Sequence, residues 1–338
     1  DTWFSSMKEG FDSPWDRQNI MYKIAIIEEI HKDGLDLLEK NPNFQFEVID
    51  NPSEENLIEK LPAFDACTLR VSKLDENILK HCPNLKVISR HGVGYDNVDL
   101  KSLKKRNISL LITSTANAVS VAEHVLSMFL SLSKSIIKYD EEVRDGNFKK
   151  NSKKIKTIEL FNKNILIAGF GRIGKKLISR CLSFESNVFV YDPYVKDDII
   201  NKLGGKKISS IEEGLKLADF VSLHMPLTPE TKNLINYSTI KIMKKNAILV
   251  NTARGGIINE EDLNKALNDN LIFGAGLDVF SQEPIDKNNP LLNNKKVILS
   301  PHSATFTDEC TSRMGIETTK NLIDFFENKI DKSMIVKL

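Results

Sequence analysis

The sequence predicts an α/β protein built from two parallel-sheet domains, and three observations carry that prediction. At 338 residues the chain exceeds what one compact core usually organises. From Lys23 onward, short β-branched runs that are apolar on both faces alternate with helical stretches, the pattern of parallel strands buried between helices. The alternation occurs as two series, separated by the polar segment RDGNFKKNSKKIKTIEL.

The first series places strands in KIAII, FEVID, ACTLRV, LKVISR and ISLLIT, a sheet of about five. A long helix follows, with Ser120 and Glu123 spaced as the capping box that opens it. Val121, Ala122, Val125, Leu126, Met128, Phe129, Leu130, Leu132, Ile136 and Ile137 cover most of its circumference, so it is expected to be buried nearly all round. Such a helix serves as an interdomain spine that also contributes to a dimer contact, with ordinary core packing within one subunit as the alternative. Five lysines between Lys149 and Lys156 read as a solvated loop rather than an anion site. The second series runs NILIAG, NVFVYD, a strand near KKIS, FVSLHM, AILVNTA, IFGAGLDV and KVILSPH. A last helix, from about Thr307 to Phe326, is expected to return to the first domain. The lead segment carries Trp3 and Trp15, precedes the first clear strand, and reads as an extension without a catalytic part.

Composition narrows the function classes. Forty-seven basic against 46 acidic residues leave a net charge of +1, which gives no pull toward nucleic acid or an anionic membrane. Cys67, Cys82, Cys181 and Cys310 are scattered, with no CxxC pair and no His/Cys cluster at metal-ligand spacing, so no metal site is expected and a reducing cytoplasm fits. No apolar run approaches the roughly 20 residues that span a bilayer, and the chain start lacks a signal-peptide pattern. A cytoplasmic protein acting on a small molecule is the expectation.

The strand ILIAG leads directly into GFGRIG, with Gly169, Gly171 and Gly174 at GxGxxG spacing and a helix behind. The first glycine permits the tight turn, the second lets the backbone approach a pyrophosphate, and the third lets the helix pack close to the strand. Asp192 closes the next strand, 18 positions beyond Gly174. A carboxylate there accepts from ribose hydroxyls and repels a 2′-phosphate, so the motif predicts NAD rather than NADP.

Three later segments end strands with polar side chains: VNTARGGIINEEDL, GAGLDVFSQEP and ILSPHSATFTDE. Ligands of open α/β folds bind at the carboxyl ends of strands, which singles out Arg254, Glu283 and His302. Oxidising a secondary alcohol requires a base for the hydroxyl proton, and histidine titrates in the right range. An arginine holds a substrate carboxylate by paired hydrogen bonds. A carboxylate on the far imidazole nitrogen fixes the tautomer. Taken singly, each has a plainer reading: Arg254 as a loop cap, Glu283 as a solvated turn residue before Pro284, His302 as a satisfied strand-end histidine.

The glycine fingerprint, NTARGG, GLDVF followed by EP, and the PH segment, in this order, resemble the D-isomer-specific 2-hydroxyacid dehydrogenases, as do SRHGVGYDNVDL and the AEH of the long helix. The resemblance covers nearly the whole chain from Met21. It implies a flavodoxin-like substrate domain made of residues 1–120 and 305–338, with a Rossmann NAD-binding domain, residues 121–304, inserted into it. It implies Arg254, Glu283 and His302 as the catalytic residues, and closure of the two domains over the substrate. It adds Arg172, Ile173, Pro226, Thr252 and Ala253 to the cofactor contacts, and Asp278 to hold the nicotinamide carboxamide. Backbone amides of Gly92, Val93 and Gly94 are implied for the substrate carboxylate. His224 is implied to be structural, and His91 and His124 to have packing or surface roles. One departure is Ala304, where the family usually has glycine.

Within the family the likeness is greatest to members acting on 3-phosphoglycerate, oxidised to 3-phosphohydroxypyruvate in serine biosynthesis, because Arg70 and Arg90 fall where those carry arginines near a phosphate. The chain ends soon after the last helix, so no C-terminal regulatory domain is expected. Glyoxylate, hydroxypyruvate or D-lactate reduction is the alternative within the family. An NADH-sensing scaffold like the corepressors of this fold is the alternative outside enzymes. A homodimer through the NAD-binding domain is also expected.

Overall fold

The computed structural model describes residues 21–148 and 155–338. The lead segment with Trp3 and Trp15, and most of the lysine run, lie outside the described residues. The chain divides into two compact units, one holding the described residues through Ser114 together with Thr311–Leu338, the other Thr115–Cys310.

The first unit is a five-stranded parallel sheet in which β1 (Tyr22–Ile27), β2 (Phe44–Ile49), β3 (Ala66–Leu69), β4 (Val87–Arg90) and β5 (Ser109–Ile112) lie in the order β2-β1-β3-β4-β5. This is the flavodoxin-like order, with its switch point between β1 and β3. Strand β3 is buried at every position and β4 at all but its last, as strands covered on both faces must be. The helix Asp308–Phe326 enters this unit, where Ser89 Oγ in β4 donates to the Thr318 carbonyl at 2.8 Å.

The second unit is a seven-stranded parallel sheet: β6 (Asn164–Ala168), β7 (Asn187–Tyr191), β8 (Lys206–Lys207), β9 (Phe220–Leu223), β10 (Ile248–Asn251), β11 (Gly274–Leu277) and β12 (Val297–Leu299). Their order is β12-β11-β10-β9-β6-β7-β8, the doubly wound Rossmann arrangement with its switch point between β6 and β9. Both sheets fall where the apolar runs placed them.

The long helix differs from expectation at both ends. It spans Ala118–Lys134, its amino-terminal residue Asn117 makes no side-chain cap bond, and there is no capping box. Ser120 lies inside the helix and donates to the Ala304 carbonyl, while Glu123 pairs with Arg180. At Ser135 the backbone turns left-handed (φ 52°), and a separate helix, Ile136–Arg144, carries Ile136 and Ile137 into exposed positions. The burial expected all round therefore ends with Leu132 and Ser133. Before that point the helix packs on the sheet of its own unit, with Phe129 edge-on to Phe220 at 5.1 Å between ring centres, and Met128 fills the space over Gly276.

Candidate active site

At the switch point of the second sheet, β6 ends in Gly169, whose φ of 97° is one that side chains rarely adopt. A Cβ there would meet the His224 carbonyl oxygen at 2.5 Å, so the loop passes against the end of β9. A Cβ on Gly174 would meet the Gly169 carbonyl oxygen at 2.6 Å, which is the close helix-to-strand approach the fingerprint requires. Gly171 has open space instead: nothing lies within 4 Å of where its Cβ would stand.

The helix Arg172–Ser183 starts on Gly171 with no side-chain cap and no acidic residue in its first turn, leaving its positive end uncompensated. Asp192 follows β7, and its carboxylate ties this loop together. Oδ2 accepts from the Phe170 amide at 2.8 Å, and Oδ1 accepts from the Tyr194 and Val195 amides at 2.9 and 3.2 Å. The turn role and the position beside the fingerprint are thus present in one side chain.

His224 lies beside the glycine loop with Nε2 at 2.8 Å from Ser222 Oγ, and burial pushes its pKa down to about 4, which keeps the ring neutral. Thr252 is buried, and its hydroxyl has no hydrogen-bond partner among the described residues, nor has His224 Nδ1. Pro226, Thr252 and Ala253 sit in the segments that follow β9 and β10, on the same carboxyl edge of the sheet as the glycine loop.

Along that edge the polar residues come together. His302 Nδ1 and Glu283 Oε2 are 2.8 Å apart, and Glu283 Oε1 accepts from the Phe280 amide at 3.0 Å. Burial raises the Glu283 carboxyl, but the His302 hydrogen bond, the Phe280 amide and the charges of His302 and Arg254 outweigh it, so its pKa stays below the ordinary carboxylate value. Arg254 is part-buried, its Nη1 donating to the Ala253 carbonyl at 2.7 Å. Asn251 shapes the turn that presents Arg254, accepting from the Ala253 amide at 3.0 Å and donating to the Arg254 carbonyl at 2.8 Å. This turn and the Glu283 segment are in backbone contact, since a Cβ on Gly255 would overlap the Phe280 carbonyl oxygen. Glu260 holds the far side of the same segment through the Ser281 amide and Asn289, both at 2.6 Å.

His302 is half-exposed and left-handed, with φ 53°. Asp278, wholly buried, receives three hydrogen bonds on its carboxylate from Ser300, Ser303 and Ala304. Ala304, in place of the glycine expected, has no positive φ, so its methyl is accommodated without backbone strain.

The remaining residues of interest belong to the first unit. Arg70 follows β3 and Arg90 ends β4; Arg70 Nη1 donates to the Glu29 carbonyl at 2.8 Å, and Arg90 Nη1 to the His91 carbonyl at 2.8 Å. Burial, with the Arg70 and Arg90 charges added, pushes His91 down to about 3, so two cations flank a neutral imidazole. The Gly92 amide differs from expectation, because it is already taken by Thr113 Oγ1 and the Arg90 carbonyl. That leaves Val93 and Gly94 as the donors this loop could present.

Residues 126–304 match the family profile described as D-isomer specific 2-hydroxyacid dehydrogenase, NAD binding domain. The chain belongs to the D-isomer specific 2-hydroxyacid dehydrogenase family. It is 35% identical over 324 residues to a glyoxylate reductase of Thermococcus litoralis, covering 93% of this chain and 97% of that protein. It is 34% identical over 316 residues to a D-3-phosphoglycerate dehydrogenase of Methanocaldococcus jannaschii, covering 93% of this chain and 59% of the relative, so it spans about three fifths of that protein's length. Among solved structures it resembles the D-lactate dehydrogenase of Aquifex aeolicus complexed with NAD and lactic acid, with a TM-score of 0.82 at 29% identity, covering 93% and 98% of the two chains.

The residues present suit the NAD of a D-isomer specific 2-hydroxyacid dehydrogenase. An uncapped helix start suits a pyrophosphate, the room over Gly171 suits its close approach, and the orphaned Thr252 hydroxyl awaits a partner. Among the described residues no group of His, Cys, Asp and Glu could hold a metal, and no helix is long and apolar enough to cross a membrane. Sequence reasoning missed Asn251, Glu260 and Ser300, and gave His124 no part in the site. The partners of Glu260, Ser300 and His124 are distant in sequence, so spacing carries no signal of them, whereas Asn251 bonds only two and three residues ahead, to Ala253 and Arg254, within the NTARGG segment itself.

Proposed function

We propose that this chain transfers a hydride between NAD and a D-2-hydroxy acid or its 2-keto acid, with 3-phosphoglycerate and 3-phosphohydroxypyruvate as the favoured pair. The observation that carries the reading is the His302–Glu283 hydrogen bond at 2.8 Å. With Nδ1 turned to Glu283, the other ring nitrogen serves the substrate. His302 Nε2 takes the hydroxyl proton during oxidation and returns it during reduction. Glu283 fixes the tautomer and stabilises the imidazolium that forms, as a carboxylate beside a catalytic histidine does. Arg254 binds the substrate carboxylate and draws charge from the adjacent oxygen. The nicotinamide, when bound, accepts or donates the hydride.

The phosphate preference rests on Arg70 and Arg90, two guanidiniums whose charges both reach His91. A phosphate requires such paired cations, while glyoxylate has no group for them. Glyoxylate reduction is the second reading, favoured by full-length similarity to relatives so named. A place in serine biosynthesis and a cytoplasmic setting accompany the first. The deciding experiment compares kcat/KM for 3-phosphohydroxypyruvate, hydroxypyruvate, glyoxylate and pyruvate with NADH, in the wild type and in His302→Ala. Preference for the phosphorylated acid and loss of turnover in the variant are expected. Turnover on none of them, with NADH binding intact, overturns the dehydrogenase reading in favour of an NADH-sensing scaffold.

The chain is further proposed to pair as a homodimer through this NAD-binding unit. Ile136, Ile137 and Val143 on the Ile136–Arg144 helix and the nearby Phe148 are all at least half exposed. A set of apolar side chains this dense is what a partner surface covers.

A further inference from the structure

The turn that carries His302 is gripped from two directions. Asp278 supplies the first grip. Its backbone carbonyl accepts from the His302 amide at 2.8 Å. Its Oδ1 accepts from Ser300 Oγ at 2.5 Å and the Ser303 amide at 2.8 Å, and its Oδ2 from the Ala304 amide at 3.0 Å. One buried residue thus receives four donors from residues 300–304, on both sides of His302. The helix Ala118–Lys134 supplies the second grip. Ser120 Oγ donates to the Ala304 carbonyl at 2.6 Å, and one helical turn later His124 Nε2 lies 3.0 Å from Ser300 Oγ and 3.6 Å from Asp278 Oδ1.

We propose that Asp278, Ser300 and His124 act as one clasp that sets the direction of His302, making Asp278 a positioning residue for the acid-base group. This rests on the reading of His302 given above. A carboxylate only accepts, so Ser300 must give its proton to Asp278 and is left to accept from His124, which carries its own proton on Nε2. His302 needs such support because it is half-exposed, sits at φ 53°, and has one side-chain partner, Glu283. Small displacements of an acid-base group cost rate steeply, about 10²-fold for roughly 1 Å.

The test uses Ser300→Ala, Ser300→Thr and Asp278→Asn in the full chain. Its readouts are kcat and KM for NADH-driven reduction of glyoxylate and 3-phosphohydroxypyruvate, NADH affinity by fluorescence, and the ring-nitrogen NMR signals of His124 in cofactor-free protein. Expected are a kcat lower by about 10-fold in Ser300→Ala, with NADH affinity within about twofold of wild type, and a kcat lower by about 10²-fold in Asp278→Asn. Ser300→Thr restores the rate, and the His124 signal reports a proton on Nε2 that Ser300→Ala perturbs. Weakened NADH binding with kcat retained overturns the clasp and makes Asp278 a cofactor contact; unchanged kcat in Ser300→Ala, or His124 protonated on Nδ1 alone, overturns it too. If Asp278→Asn fails to fold, the two Ser300 variants decide. Retained rate in His302→Ala sinks the underlying acid-base reading, whereas loss there with an unaffected Ser300→Ala sinks the clasp alone.

Discussion

His302 and Glu283 meet at 2.8 Å although they lie 19 positions apart in the chain, and the carboxylate is fixed at its other oxygen by the Phe280 amide. The imidazole is therefore held by a group that is itself held. Replacing Glu283 with Gln keeps the size but presents an amide that fixes neither the tautomer nor the charge. Glu283→Gln is expected to lower kcat by about 10²-fold or more, within the span of general acid-base effects, with little change in NADH affinity. Steady-state kinetics beside fluorescence titration checks both halves of that statement.

Asp192 is expected to show two separable losses. Its three backbone donors make Asp192→Ala destabilising by about 1–3 kcal/mol, the cost of stranding part-buried amides. The same change removes the charge opposed to a 2′-phosphate, so the NAD-to-NADP efficiency ratio falls. Urea unfolding measures the first and kinetics with both cofactors the second; an unchanged ratio would remove Asp192 from cofactor selection.

Gly255→Ala is expected to be severe. The added methyl overlaps the Phe280 carbonyl, so the Arg254 turn and the Glu283 segment must separate. Strain of about 1–3 kcal/mol lowers the melting temperature, and kcat/KM drops further than stability alone predicts. Thermal melts with kinetics at a temperature where the variant is folded test this, and full activity there would show that the contact is only packing.

Stability should decline on acidification before any carboxylate titrates. His91 is held down at about 3 and His224 at about 4, against an ordinary 6.5. In the unfolded chain both take up protons as pH falls below 6.5, while in the fold they stay neutral, so protonation favours unfolding. Their contribution is complete above pH 6.5 and is lost progressively toward pH 4 and 3. Between pH 6.5 and 5 each adds a slope of up to about 1.4 kcal/mol per pH unit. Urea titrations across that window should show the slope, and His91→Asn should reduce it by one histidine's share.

If Arg70 takes part in holding a phosphate, Arg70→Ala will raise KM for 3-phosphohydroxypyruvate by about 10-fold or more while leaving glyoxylate within about twofold. A charge-assisted contact is worth about 1.5–3 kcal/mol, which sets that scale. Equal effects on both acids would confine Arg70 to bracing the Glu29 carbonyl.

Much of the architecture was legible because it depends on local pattern. Strands such as ACTL and ILVN are buried at every position, and that demand shows directly as runs apolar on both faces. The glycine loop was legible because φ 97° at Gly169 and the tight approach at Gly174 exclude side chains. What escaped depends on pairing across long separations. Ser120 has capping-box spacing, but its hydroxyl is used by a carbonyl 184 residues away, and the helix begins before it. Ser135 breaks that helix without a glycine or proline to announce it, because a left-handed serine costs little enough for tertiary context to impose. Glu260 looks like the first residue of an exposed helix, and only the folded chain shows it tying down the Glu283 segment.

The left-handed backbone at His302 has a consequence for engineering. A side chain at φ 53° sits about 1–2 kcal/mol above its right-handed alternative, whereas glycine has no such preference. His302→Gly should therefore melt at a higher temperature than His302→Ala, which loses the same bond to Glu283 but keeps the strained backbone. Among catalytically dead variants of this codon, a selection for heat tolerance without an activity screen would favour the glycine.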